Sequence, residues 1–159
     1  MLLTKTFDGA TYARALEDWS WLDLKGKTPV LSSLFGDVFL QDSTGYWFLD
    51  TLEGTVKLVA ATRDELQAKL DSQEGQDDFL LGGLAMAADR KGMHLKEDEV
   101  YDFQIPPVLG GATDLGNVTV MPFVVSLSIA GQLHDQVRKL PPGTKISGVK
   151  MVDDRLHLS

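Results

Sequence analysis

The apolar positions divide the chain into an amphipathic helix, a group of short strands, two more helical stretches, a long irregular segment and a final helix. Between Ala10 and Leu22, the residues Tyr12, Ala13, Leu16, Trp19 and Leu22 recur at three- and four-residue spacings, with Arg14, Glu17 and Asp18 opposite them. That period predicts a first helix. Lys25-Gly26-Lys27 is expected to end it, because glycine accepts the left-handed conformation past a helix and lysine suits its negative end; Pro29 then starts an extended piece. From Phe35 the period changes to two. FGDVFLQD, STG, YWFLDT, LEG and TVKLVA alternate strand-like runs with turns, which predicts a three-stranded antiparallel meander over about residues 37–60.

Along these strands Val38 and Leu40 face one way and Asp37 and Phe39 the other, while Trp47 and Leu49 oppose Tyr46 and Phe48. Both faces are largely apolar, so the sheet should be covered on both sides or sit against a partner. Asp37, Asp42 and Asp50 fall where side-chain oxygens commonly close turns. Thr62 with Glu65 three residues later reads as a capping box, and Leu66 and Leu70 as the buried stripe of a helix ending near Ser72. A further helix is expected from Gln76 to Lys91, with Gly82-Gly83 marking a kink or a close backbone approach. After Gly92 comes a polar and then Pro- and Gly-rich stretch, the longest irregular piece in the chain. The last helix is expected from about Met121 to Leu140, with Ser126, Gln132, Asp135, Gln136 and Lys139 outside; Pro141-Pro142-Gly143 ends it, and KISGVKMV is expected to add an edge strand. With no repeat or linker, these elements predict one compact α+β domain over residues 1–159, its antiparallel sheet packed against several helices.

Composition narrows the chemistry. The chain has no cysteine, which excludes disulfides, thiolate nucleophiles and cysteine-bound metals. Fifteen Lys and Arg against 23 Asp and Glu give a net charge of −8, which disfavours direct contact with nucleic acid or anionic lipid and suits a basic protein partner. MLLTKTFDGA lacks the apolar core of a signal peptide and no later run could span a bilayer, so the expected setting is the cytoplasm, without membrane contact. His94, His134 and His157 show no helical zinc spacing, so neither a metal nor any other cofactor is expected. His134 beside Asp135, with Ser126 and Ser128 upstream, suggests a hydrolytic set, yet neighbours on a helix point about 100° apart and no GxSxG elbow is present. Gly110-Gly111 and Gly82-Gly83 lack the residues of a phosphate loop.

The segment VYDFQIPPVLGGATDLGNVTVMPFVVSLSIAGQL, Val100 to Leu133, resembles the C-terminal domain of type VI secretion immunity proteins that neutralise DNase effectors, a domain associated with GAD-like domains. The pattern that carries the resemblance is Tyr101 and Phe103, Pro106 and Pro107, Leu109 to Gly111, then Asn117 with Val118 leading into an apolar helix. The upstream FGDVFLQDSTGYWFLDTLEGTVKLV is similar to the Gly-Asp meander preceding that domain, and the likeness runs from about Leu31 to Ile146. The helical portion ahead of it is shorter than in the longer immunity proteins. These are packing and turn residues, so the resemblance implies a non-catalytic binding protein that blocks a toxin, possible nuclease effectors included, by occlusion. Turns and loops lie on surfaces, which makes Asp42, Tyr46, Glu53, Glu97, Asp98 and Glu99 the candidate contacts to a basic effector. Two alternatives stand beside this reading: a small hydrolase using Asp or Glu with His134, and a self-associating structural or regulatory module.

Overall fold

The computed structural model describes residues 1–159. Strands β1 (Thr4–Lys5), β2 (Thr28–Ser33), β3 (Val38–Asp42), β4 (Gly45–Asp50) and β5 (Thr55–Ala60) form one antiparallel sheet in sequential order. The expected meander is therefore present and carries two extra strands beyond β3. Phe39 pairs with Phe48 and Leu40 with Trp47, a register that keeps like faces together. Val38, Leu40 and Leu49 enter one core cluster; Phe39, Tyr46 and Phe48 enter another on the opposite face.

Five helices follow from the same pattern: α1 (Gly9–Ala15), α2 (Arg63–Asp71), α3 (Gln73–Leu80), α4 (Gly82–Arg90) and α5 (Phe123–Val137). Tyr12 and Ala15 of α1 and Phe123 and Leu127 of α5 cover the first face of the sheet, while Leu66, Leu70 and Leu80 cover the second. Double coverage explains why neither face could be polar, since each fully buried large apolar side chain stabilises the fold by about 1.5–3 kcal/mol. The capping box is formed: Glu65 N donates to Thr62 Oγ1 at 3.2 Å, and Glu65 Oε2 accepts from Ala61 N at 2.8 Å. Two short sheets complete the molecule, β6 (Glu99–Phe103) with β7 (Val118–Pro122), and β8 (Val149–Val152) with β9 (Arg155–Leu158). Leu34 and Phe35, Ala85 and Ala88 of α4, and Tyr101 and Phe103 of β6 build a third cluster.

Six expectations are corrected. The first helix stops at Ala15 and gives way to a 3-10 turn, Glu17–Trp19. That turn swings both tryptophans toward α5, where Trp19 Nε1 donates to Leu127 O at 2.9 Å and Trp21 Nε1 to Gly131 O at 3.1 Å. Gly26, at φ +74°, belongs to the turn before β2 rather than to a helix end. The stretch expected as one helix over 76–91 breaks at Leu81, which is left-handed at φ 48°. The break lets Leu80 enter the sheet-facing cluster while Ala85 and Ala88 enter the third, two directions a straight helix could not serve.

The last helix begins at Phe123, because Val118 to Pro122 pair with β6 as a strand. KISGVKMV does not edge the main sheet; Val149–Val152 pairs with Arg155–Leu158 in its own hairpin, whose turn residues Asp153 and Asp154 sit at φ 48° and 60°. Ser126 and Gln132, expected outside α5, are buried. Each has a partner there: Ser126 Oγ donates to Asp102 Oδ2 at 2.8 Å, and Gln132 Oε1 accepts from Leu156 N at 2.8 Å.

Candidate functional site

The long segment after β6, one face of α5, the β4–β5 turn and the C-terminal hairpin surround a cleft of about 680 Å³, with 12 hydrophobic residues among the 20 that line it. Its irregular wall is Gln104 to Leu109. This wall is pinned despite having no regular structure, because Asn117 grips it: Nδ2 donates to the carbonyls of Ile105 and Ala112 at 2.8 Å, and Oδ1 accepts from Ile105 N at 2.9 Å. A side chain that satisfies three backbone groups holds the loop much as a ladder would. The effect is to present apolar side chains outward. Ile105 is 57% exposed and Val108 38%, and Val149 across the cleft is 46% exposed. Large apolar side chains gathered around a concavity mark binding surfaces in otherwise polar exteriors.

The lining carries one carboxylate. Asp102 accepts from Phe103 N at 2.7 Å through Oδ1 and from Ser126 Oγ through Oδ2. Burial pushes its carboxyl above the ordinary range, against the hydrogen bond from Ser126. No ion pair reaches it, since none of the six in the molecule involves Asp102.

His134 lies at the other side of the cleft and is structural. Its Nε2 meets Thr51 O at 2.8 Å, and a carbonyl can only accept, so Nε2 carries the proton. Burial lowers its pKa, which keeps the ring neutral near neutral pH. Gly54, at φ +71°, lets the β4–β5 turn approach this ring; a Cβ there would lie 2.6 Å from Nδ1. Asp37 completes the clasp. Its Oδ1 accepts from Thr51 N at 2.8 Å and Thr51 Oγ1 at 2.7 Å, and its Oδ2 from Ser33 Oγ at 2.8 Å. Burial, with the charge of Asp50 beside it, pushes Asp37 up to about 7.

The hydrolytic set does not assemble. Ser126 and His134 are eight residues apart on α5, about 12 Å along its axis. Ser126 is engaged with Asp102, and Ser128 Oγ donates to Asp18 Oδ2 at 2.6 Å, so neither serine meets the histidine. His94 is on another element, bonded to Asp89 at 3.0 Å.

The residues singled out as contacts do not form one surface. Asp42 holds the β3–β4 turn by accepting from Thr44 N and Oγ1, which lowers its carboxyl to about 2. Glu53 is exposed in the turn at the other end of β4, about 20 Å away by strand length. Glu97 and Asp98 are exposed ahead of β6, and Glu99 is half-buried with Oε1 accepting from Lys96 N at 2.8 Å. Tyr46 is not exposed as expected: it is 9% accessible and packs in the cluster with Phe39 and Leu66. Of the six, Glu53 stands nearest the cleft, next to Leu52 in its wall. Asp102, Ile105, Val108 and Val149 were not singled out from the sequence, and Ser126 was considered only beside His134. The signal for the loop residues was the apolar run Ile105-Pro-Pro-Val-Leu inside a Pro/Gly stretch; none existed for Asp102, whose setting depends on α5.

A second depression, about 900 Å³, opens between α1 and the segment before β2, walled by Phe7, Leu16, Trp21, Leu24 and Lys27. No helix in the molecule is long and apolar enough to cross a membrane.

No curated protein matches the chain. Residues 60–134 match the family model described as T6SS immunity protein Tdi1, C-terminal. The match runs from the end of β5 to His134, taking in Asp102, the Ile105 to Leu109 wall and the cleft face of α5. Over that segment the chain is similar to the C-terminal domain of type VI secretion immunity proteins of the Tdi1 kind.

Proposed function

We propose that the chain is an immunity protein that neutralises a nuclease effector in the cytoplasm by binding it, without catalysis, through the cleft between the Ile105 to Leu109 wall, α5 and the C-terminal hairpin. The match of residues 60–134 to the Tdi1 C-terminal model supports the toxin-neutralising role. The observation that carries the choice of surface is the exposed apolar rim, Ile105, Val108 and Val149, around a concavity large enough to seat side chains of a partner. Non-catalytic action is supported by the hydrogen bonding of Ser126, Ser128 and His134, each committed to a structural partner. Glu53, Glu97 and Asp98, with Asp42 and Glu99 behind their own hydrogen bonds, supply a dispersed negative field that speeds capture of a basic effector rather than a contact surface. Tyr46 contributes packing and not contact.

Co-expression tests the reading. Cells producing a type VI nuclease effector from the same genome survive when they also make this protein, and the purified pair forms a stable complex. Ile105→Ser with Val108→Ser abolishes survival while the variant stays folded by circular dichroism. Survival with no complex formed, or full protection by the double variant, contradicts the proposal.

A further inference from the structure

Asp102 is a carboxylate set in an apolar cleft without a cation. Its two oxygens hold one backbone N–H and one serine hydroxyl, which leaves lone pairs on both unfilled. Among the lining residues it is the one that carries a formal charge, because His134 is held neutral. A half-buried carboxylate in apolar surroundings without a charged partner costs stability. The apolar lining of the same cleft, Ile129, Met121 and Ile105 among it, suits the methylene stem of a long side chain. None of the chain's own cations pairs with Asp102; Arg155 is engaged with Asp18, Arg138 and Lys139 with Asp135, and Lys27 with Asp42 and over the Trp47 ring.

We propose that the cleft receives a basic side chain, with arginine the best fit, from the effector protein, its guanidinium meeting Asp102 and its stem and apolar neighbours lying against Ile105, Val108 and Val149. This deepens the immunity reading and rests on it. The juxtaposition of one unpaired carboxylate with an apolar rim selects a cationic residue flanked by apolar ones, a combination that carries high energy at protein interfaces because the charge pair forms away from water. It also assigns a role to Ser126: its hydroxyl fixes the Asp102 carboxylate so that one edge faces the cleft.

The probe is the tripeptide acetyl-Leu-Arg-Leu-amide, compared with acetyl-Leu-citrulline-Leu-amide, which keeps the shape and removes the charge. Both are titrated into the full-length ¹⁵N-labelled protein and followed by NMR. The arginine peptide should shift the amide signals of Phe103 and Ser126 and bind at least about tenfold more tightly than the citrulline peptide. Asp102→Asn, folded by the same spectrum, should bring the two within about twofold. Equal binding of the two peptides to the wild type, absence of binding, or shifts confined to Glu97 to Glu99 would overturn the proposal, and so would a dimer whose second copy fills the cleft. Because the wild-type comparison stands alone, a misfolded Asp102 variant leaves the test decisive. A protein that protects cells yet treats both peptides alike loses this site and keeps the immunity reading; discrimination between peptides without protection keeps the site and removes that reading.

Discussion

The meander and the cleft are built from similar proportions of apolar residues and use them in opposite ways. In the meander, Val38, Phe39, Leu40 and Leu49 are fully buried, and helices lie on both faces of the sheet. Around the cleft, Ile105 and Val108 remain in solvent on a loop that one asparagine pins, and Val149 does so on the C-terminal hairpin. The first arrangement stabilises the fold; the second spends apolar surface on water exposure and is sensible only if something covers it. Stability and binding are thereby assigned to separate parts of one small domain, and substitutions should separate them.

The largest expected effect lies on the buried side. Trp19→Ala removes a fully buried ring and its hydrogen bond to Leu127 O, where the 3-10 turn meets α5, and should lower stability by about 3–5 kcal/mol in urea denaturation. A loss under about 1 kcal/mol would mean that this junction is not part of the core. On the other side of the comparison, Ile105→Ser with Val108→Ser should change stability by less than about 0.5 kcal/mol yet weaken the effector complex by about 2–3 kcal/mol, read by calorimetry. Equal losses of stability and affinity would erase the distinction.

The clasp between the two regions gives a pH test. Asp37 is pushed up to about 7 in the folded chain from an ordinary value of 3.8. The folded state thus holds an extra proton between those values, so this group's contribution is present at low pH and is lost as pH rises from about 4 through about 7, by at most ~1.4 kcal/mol per unit. Asp37→Asn, which keeps an oxygen for Thr51, should flatten that slope in denaturation curves across the range; an unchanged slope would show that Asp37 is ionised throughout. The smallest effect belongs to the acidic loop. Glu97→Lys with Asp98→Lys should slow association with a basic effector a few-fold at low salt, with dissociation unchanged in stopped-flow and surface-binding traces. A faster dissociation would make the loop a contact.

The two regions also differ in how far they could be read from residues alone. The meander was legible because period-two alternation, Asp and Gly turns and a capping box act locally and agreed with one another: Asp42 closes its turn through Thr44, and Thr62 caps α2. The coverage of both faces followed from Phe39 and Phe48 opposing Val38 and Leu49. Where the expectation failed, long-range packing decided. Leu81 breaks a helix because residues on its two sides serve different clusters, and Trp19 leaves helical geometry to reach α5 more than a hundred positions away. The cleft depends on such contacts throughout. Asp102 reads as part of the long irregular stretch until β6 forms and α5 brings Ser126 to it, and Val149 reads as a strand residue until the hairpin turns it to the rim. Acidic turns drew attention as contacts because exposure is legible locally, whereas the convergence of segments distant in sequence is not.

The central claim is that the cleft, and not the acidic turns, meets the effector. Hydrogen–deuterium exchange of the purified protein, free and bound to the effector whose toxicity it suppresses, addresses it most directly. The account predicts slowed exchange at Phe103 to Leu109 and at Val149 to Leu156, with little change at Asp42 to Tyr46 or Glu97 to Glu99. Protection confined to those acidic segments, with the cleft walls exchanging as in the free protein, would contradict it.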